Sequence, residues 1–144
     1  MSSIIKYKFS DGDNVLCLYF EGVLDIETLK ALMVLLKRFD RDNGVEYDKF
    51  ADFTNLESMN VGFEELVPFT DNRILELNKT QTKIKAAGIV NSTTQFGIGK
   101  IFDALMSGIN YETYLCKNIN EAAESLGVES SLLELTDEFE IISI

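Results

Sequence analysis

The chain is built from two hydrophobic periodicities. Within residues 3–9, Ile5, Tyr7 and Phe9 recur at every second position with Lys6 and Lys8 between them, the pattern of a half-buried strand at a sheet edge. Asp11, Gly12, Asp13 and Asn14 have the composition of a turn. Residues 15–20 (VLCLYF) are apolar throughout, which predicts a central strand covered on both faces and makes the first two segments a hairpin. Gly22 breaks that strand, and from Asp25, a candidate N-cap, the period changes. Ile26, Leu29, Leu32, Met33, Leu36 and Phe39 predict a helix to about Arg41, with Glu27 in its first turn and Lys37 and Arg38 near its end, as the helix dipole favours. Val34 and Leu35 widen the apolar surface, to be covered by neighbouring segments or by a subunit contact.

Residues 47–54 (YDKFADFT) predict a third strand, residues 55–62 a polar loop, and residues 63 to about 78 a helix with Phe63, Leu66, Val67, Ile74 and Leu77 on one face. Pro68 requires a kink there or a helix start. Residues 84–90 predict a fourth strand whose Ala86, Ala87 and Gly88 suit closely packed helices. A polar turn follows, then a helix within residues 94–108 carrying Ile98, Ile101, Phe102, Leu105 and Met106 on its core stripe, with Gly108 as C-cap. Residues 111–116 predict a fifth strand. Asn118 and Glu121 form a capping box for a short helix to Leu126, closed by Gly127. The final FEIISI looks like a strand, on its own sheet or on a neighbour's edge.

The order β-β-α-β-α-β-α-β-α predicts an α/β fold with a mixed, mostly parallel five-stranded sheet and right-handed crossovers. Sequential order of strands two to five would place the connecting helices on one face. The other face then needs the tail or a second subunit, and a homodimer is expected. Residues 1–128 read as one domain and residues 129–144 as an extension packing on it or on a partner subunit.

Composition narrows the function. With 144 residues and 46% hydrophobic positions, the chain is one globular domain able to bury a real core. Its 13 basic and 24 acidic side chains give a net charge of −11, which argues against nucleic acid and against a polybasic hold on membranes. Solubility or a basic protein partner fits better. The N-terminal stretch lacks a signal-peptide h-region and no apolar run is long enough to span a bilayer, so a cytoplasmic location is expected. Cys17 and Cys116 sit in strand-like segments and read as buried, reduced thiols.

The chain contains no histidine, which removes Ser-His-Asp, Cys-His and His-ligated metal chemistry. It has no Walker loop and no G-x-G-x-x-G after a strand. Asp40 and Asp42 have calcium-loop spacing, but the glycine needed at position six is Val45, so a helix C-terminus with an Asn-Gly stop fits better. No metal and no cofactor are expected. An enzyme would have to rely on Asp52, Asp25 or Lys100, without a visible base–nucleophile pair.

The candidate site lies where strands three and four should end, the edge at which open α/β sheets bind ligands. Thr54, Asn55 and Ser58 follow one strand; Asn91, Ser92, Thr93, Thr94 and Gln95 follow the other. The helix N-terminus could hold an anion, Gly97 and Gly99 would allow close approach, and Lys100 would add a charge. Helix capping and glycine packing explain the same residues without a ligand.

Four stretches together carry a resemblance. They are Leu18-Tyr-Phe-Glu-Gly22 followed by Asp25; Phe50-Ala-Asp-Phe-Thr54; Ala87-Gly-Ile-Val90 followed by Gln95-Phe-Gly97 and Lys100-Ile-Phe102; and Ala122-Ala123 to Leu126-Gly127. In this order the chain resembles the STAS domain of bacterial anti-sigma-factor antagonists, and more closely the small bacterial SpoIIAA-like proteins, over residues 3–127. The resemblance implies a non-enzymatic regulatory or protein-interaction module whose partner is another protein. Related folds that bind apolar ligands supply the alternative, a small apolar-ligand or lipid-binding protein. Antagonists of this superfamily carry an Asp-Ser-Ser-Gly-like phosphorylation motif after the third strand. Here Glu57-Ser-Met-Asn-Val-Gly62 stands instead, and Ser58 lacks that frame, so phosphorylation is not expected. SpoIIAA-like proteins usually place Arg where Lys100 stands, so an anion there would meet a point charge rather than a fork.

Overall fold

In a computed structural model, which describes residues 2–78 and 80–144, the two periodicities become one sheet clad by helices. The elements are β1 (Ser3–Ser10), β2 (Val15–Leu24), α1 (Ile26–Asn43), β3 (Asp48–Met59), α2 (Phe63–Leu77), β4 (Ile84–Ile89), α3 (Thr93–Met106), β5 (Tyr111–Cys116), α4 (Ile119–Leu126), α5 (Ser130–Leu133) and β6 (Glu140–Ser143). The strand order is β5-β4-β3-β2-β1-β6. Strands β2 to β5 run parallel, and β1 and β6 are antiparallel additions.

The sheet therefore has six strands rather than five. β6 pairs along β1 from Ile4↔Ser143 to Tyr7↔Glu140, so β1 is not an edge. The tail gives β1's outward N–H and C=O groups partners that an edge strand lacks.

β2 explains why a strand can be apolar at every position. Leu16, Leu18 and Phe20 pack under α1 and α2, in a core with Leu29, Leu32, Leu36, Leu66 and Phe69. Val15, Cys17 and Tyr19 point the other way, into a core with Ala122, Ala123 and Leu126 of α4 and Leu133 of α5. The crossover helices α1, α2 and α3 lie on one face, and the C-terminal segment covers the other. The packing reason for a second subunit is thus met by the chain itself. Cys17 and Cys116 are both buried and free.

Three local expectations change. Gly22 does not end β2; it sits inside the strand at a register shift, with φ +87°. A Cβ there would collide with the Ser2 carbonyl oxygen, so both the backbone angle and the space require glycine. The polar segment after Thr54 is not a loop, because β3 continues to Met59. Its last residues pair only with β2, since pairing with β4 stops at Asp52↔Ile89. A half-paired, exposed strand end needs no apolar alternation, which hid it. Finally, α3 ends on Ser107 in right-handed geometry, so Gly108 is not its cap.

The helix starts follow the chain's capping chemistry. Asp25 Oδ1 accepts from the Thr28 N–H at 3.1 Å, and Thr28 Oγ1 accepts from the Asp25 N–H at 3.3 Å, a reciprocal box at the start of α1. Leu35 is buried while Val34 is 69% exposed, so only one of the two extra apolar positions serves the core. α2 runs through Pro68 and buries Leu66, Phe69, Thr70, Arg73 and Leu77. That stripe is rotated from the expected one and leaves Phe63 exposed. No helix among the described residues is long and apolar enough to cross a membrane.

Candidate functional site

The C-terminal edge of the parallel strands brings the expected polar residues together and engages four of them, Thr54, Asn91, Ser92 and Gln95, in the fold. Ser92 caps α3, its Oγ accepting from the Gln95 N–H at 3.1 Å. Gln95 is buried; its Nε2 donates to the Phe53 carbonyl at 3.0 Å and its Oε1 accepts from the Asn91 N–H at 3.0 Å. Asn91 Nδ2 donates to the Thr54 carbonyl at 3.3 Å. These bonds tie the end of β3 to the turn before α3. Asp52 Oδ1 accepts from the Thr54 N–H at 2.9 Å and the Thr54 hydroxyl at 2.7 Å, ordering its own strand end. Asn55 and Ser58 are exposed on β3, and Thr94 is exposed in the first turn of α3. Lys100 is exposed one turn further on, its Nζ 6.0 Å from the Phe96 ring centroid. Gly99 packs against Leu115, whose side chain a Cβ would press.

The chemically unusual region lies one layer deeper, between the sheet and helices α1–α3. There a cavity of about 150 Å³ is lined by apolar side chains, among them Phe20, Leu32, Phe53, Leu66, Ile98 and Phe102. Its floor is made of small residues. Two registered rows cross the sheet there, Lys49–Ala86–Thr113 and Ala51–Gly88–Leu115. Ala86 and Gly88 were expected to seat helices closely. On this face they underlie the cavity, whereas Ala87 on the other face packs with Ala122 and Ala123.

At one end of the cavity sits a buried polar group. Asp40 of α1 and Arg73 of α2 pair at 2.7 Å with side chains 5% and 3% exposed. Asp40 Oδ1 also accepts from the Tyr47 hydroxyl at 2.9 Å and from Arg73 Nη2 at 3.4 Å. Burial is the largest single influence and works against the Arg73 charge, but the hydrogen bonds to Asp40 together with the Asp40 charge and the neighbouring tyrosines raise it, so it stays protonated. Burial likewise pushes the Tyr47 and Tyr111 phenols up, so both stay neutral.

Lys49 is the exception. It is 6% exposed, and its Nζ donates to the Tyr47 carbonyl at 3.2 Å and lies 4.2 Å from the Tyr47 ring centroid. Among the described residues it forms no ion pair. Burial, reinforced by Arg73 and only partly offset by Asp40 and Asp48, lowers its pKa from 10.5 to about 7. In the same registered row, Thr113 Oγ1 is buried with no hydrogen-bond partner among the described residues. Among those residues no cluster of three or more His, Cys, Asp or Glu side chains is placed to hold a metal.

Sequence reasoning missed this group, though part of it was signalled. Lys49 shares its strand face with Ala51 and Phe53, an inward position by simple alternation. Arg73 falls on the α2 stripe with Leu66, Phe69 and Leu77. Nothing in the sequence pairs them with Asp40, which stands 33 residues before Arg73.

No protein-family model matches the sequence, and no curated protein matches it. Several solved chains are similar in fold, among them two of known description. One is an uncharacterized protein of the DUF3478 family with a SpoIIAA-like fold, from Shewanella loihica PV-4. It is 18% identical, with a TM-score of 0.58, over 88% of this chain and 95% of that one. The other is the anti-sigma factor antagonist SpoIIAA in its unphosphorylated form, 12% identical, with a TM-score of 0.54, over 83% of this chain and 94% of that one. The chain has a SpoIIAA-like fold.

Proposed function

We propose that this chain is a non-enzymatic regulatory or protein-interaction module that presents the C-terminal edge of its parallel strands to another protein. The carrying observation is the surface at that edge. Phe63 and Phe96, in the first turns of α2 and α3, are 59% and 49% exposed. Exposed Ser58, Asn91, Ser92 and Thr94 belong to the same edge, because β3 and β4 both end there. Exposed aromatic side chains among small polar ones have the composition of an interface core and rim. The similar fold of SpoIIAA, an antagonist of an anti-sigma factor by its description, supports the reading. The net charge of −11 favours a basic partner. The test is affinity capture from an extract of the native host, comparing the wild type with a Phe63→Ser/Phe96→Ser double variant. A protein retained by the wild type and lost from the variant supports this function. No difference between the two removes it.

The cavity favours a second reading, a small apolar-ligand binder. An engineered apolar cavity of about 150 Å³ in another protein admits benzene, and the volume here is about 150 Å³. Native mass spectrometry checks for a retained apolar molecule. Failure to bind toluene on titration would sink this reading.

A further inference from the structure

The cavity has more chemistry than an apolar void, and that chemistry selects a ligand class. We propose that it takes a small apolar monocarboxylic acid whose carboxylate is bound by Lys49 Nζ, an inference that rests on the ligand-binding reading above.

Charge count is the first argument. The buried Asp40 and Arg73 neutralise each other in a close pair. Lys49 is then the cation left over in the layer, with no ion-pair partner among the described residues. A buried ammonium without a counter-charge is strongly disfavoured. One negative charge restores balance, and a phosphate dianion would overshoot it.

Hydrogen bonding is the second. An ammonium offers three donors. Lys49 Nζ uses one of them on the Tyr47 carbonyl. Thr113 Oγ1, also bordering the cavity, has no partner among the described residues. A carboxylate has two oxygens to accept from the free Lys49 donors and from the Thr113 hydroxyl.

Space is the third. Lys49 and Thr113 flank Ala86 in one registered row. Adjacent strands lie roughly 4.8 Å apart, so the two flanking backbones are roughly 10 Å apart. The Ala86 methyl leaves the intervening volume open at the floor of the cavity. Beyond it, the next row offers only Ala51, Gly88 and Leu115, beneath Phe20, Phe53 and Phe102. A polar head between Lys49 and Thr113 therefore continues into a predominantly apolar chamber. The volume limits the body to about the size of a benzene ring or a short alkyl chain.

The test titrates the full chain with benzoate and with toluene at about pH 6.5, where carboxylates are ionised. A charge-assisted hydrogen bond is worth about tenfold or more in affinity. Benzoate is expected to bind at least that much more tightly than toluene. Lys49→Met, which keeps length and adds no charge, is expected to lose that advantage while still binding toluene. Binding of toluene with no preference for benzoate, or unchanged benzoate affinity in Lys49→Met, overturns the inference and leaves the cavity reading standing. Binding of neither compound removes both. A second measurement needs no variant. Lys49 is faced by Arg73 from α2, Asp40 from α1, Asp48 and Tyr47 beside it, and Tyr111 from β5. Its free amine loses its proton above about pH 7, so benzoate affinity is expected to fall as pH rises to about 8.5, with proton uptake on binding. A flat profile without proton uptake overturns the inference.

Discussion

Lys49 makes the stability of this protein rise as the solution becomes alkaline. In the unfolded chain its amine titrates near 10.5; in the folded chain, buried beside Arg73, it titrates at about 7. Below pH 7 both states hold the proton, and this group adds no pH dependence. Above pH 7 the folded state releases a proton that the unfolded chain keeps, so stability climbs by up to about 1.4 kcal/mol per pH unit. From pH 7 to 9 the gain integrates to about 2 kcal/mol, with the first half-unit damped because Lys49 is only partly deprotonated there. The chain has no histidine, and the cysteines and α-amino group that titrate in the same interval cancel in a comparison with a Lys49 variant. The Cys17 thiol is pushed up to about 11 by burial, so above roughly pH 9 ionisation of cysteine and tyrosine in the unfolded chain reverses the trend. Urea unfolding midpoints of the wild type and Lys49→Met, measured in half-unit steps from about pH 6 to 9, isolate the lysine. The difference between the two proteins is expected to shrink by about 2 kcal/mol across the upper two pH units. A difference between the two proteins that stays constant over that interval, so that wild type and Lys49→Met share one slope, would refute the assignment of a neutral buried amine.

Other parts of the structure make separate predictions. Asp40→Ala leaves the buried Arg73 guanidinium and Tyr47 hydroxyl without their acceptor and is expected to cost about 3–5 kcal/mol in urea unfolding. Gly22→Ala forces a left-handed backbone angle on a residue with a Cβ and drives it into Ser2, costing at least about 1–2 kcal/mol by the backbone term alone; a neutral result by calorimetry would contradict the φ of +87°. Leu133→Ala removes a fully buried side chain that anchors the tail over the second sheet face, for about 2–5 kcal/mol. Deletion of residues 129–144 removes Leu133 from that face and β6 from β1, and light scattering is expected to show more self-association than for the full chain. Lys100→Ala alters an exposed side chain and is expected to stay within about 0.5 kcal/mol of the wild type in stability.

The sequence by itself determined the order and type of the elements because those are set locally. Alternation marked β1, three/four spacing marked α1 and α3, and Asp25 and Asn118 marked helix starts through bonds to residues three positions on. The doubly apolar run of β2 announced a strand covered on both faces, and right-handed crossovers put three helices on one of them. The sequence could not tell that β6 joins the sheet beside β1, or that Leu133 of α5 packs with α4 over the other face, because those contacts are made by residues far apart along the chain. It could not tell that Asn91, Ser92 and Gln95 serve as struts, since a capping residue and a ligand-binding residue have the same composition. Above all it could not place Lys49. Strand alternation turns that side chain inward, but only the register of β3, β4 and β5 sets it in one row with Ala86 and Thr113, and only the packing of α1 on α2 gives Arg73 to Asp40 and leaves Lys49 without a counter-charge. A buried charge is a tertiary quantity: its cost depends on what surrounds it in space, and those groups come from four separate elements.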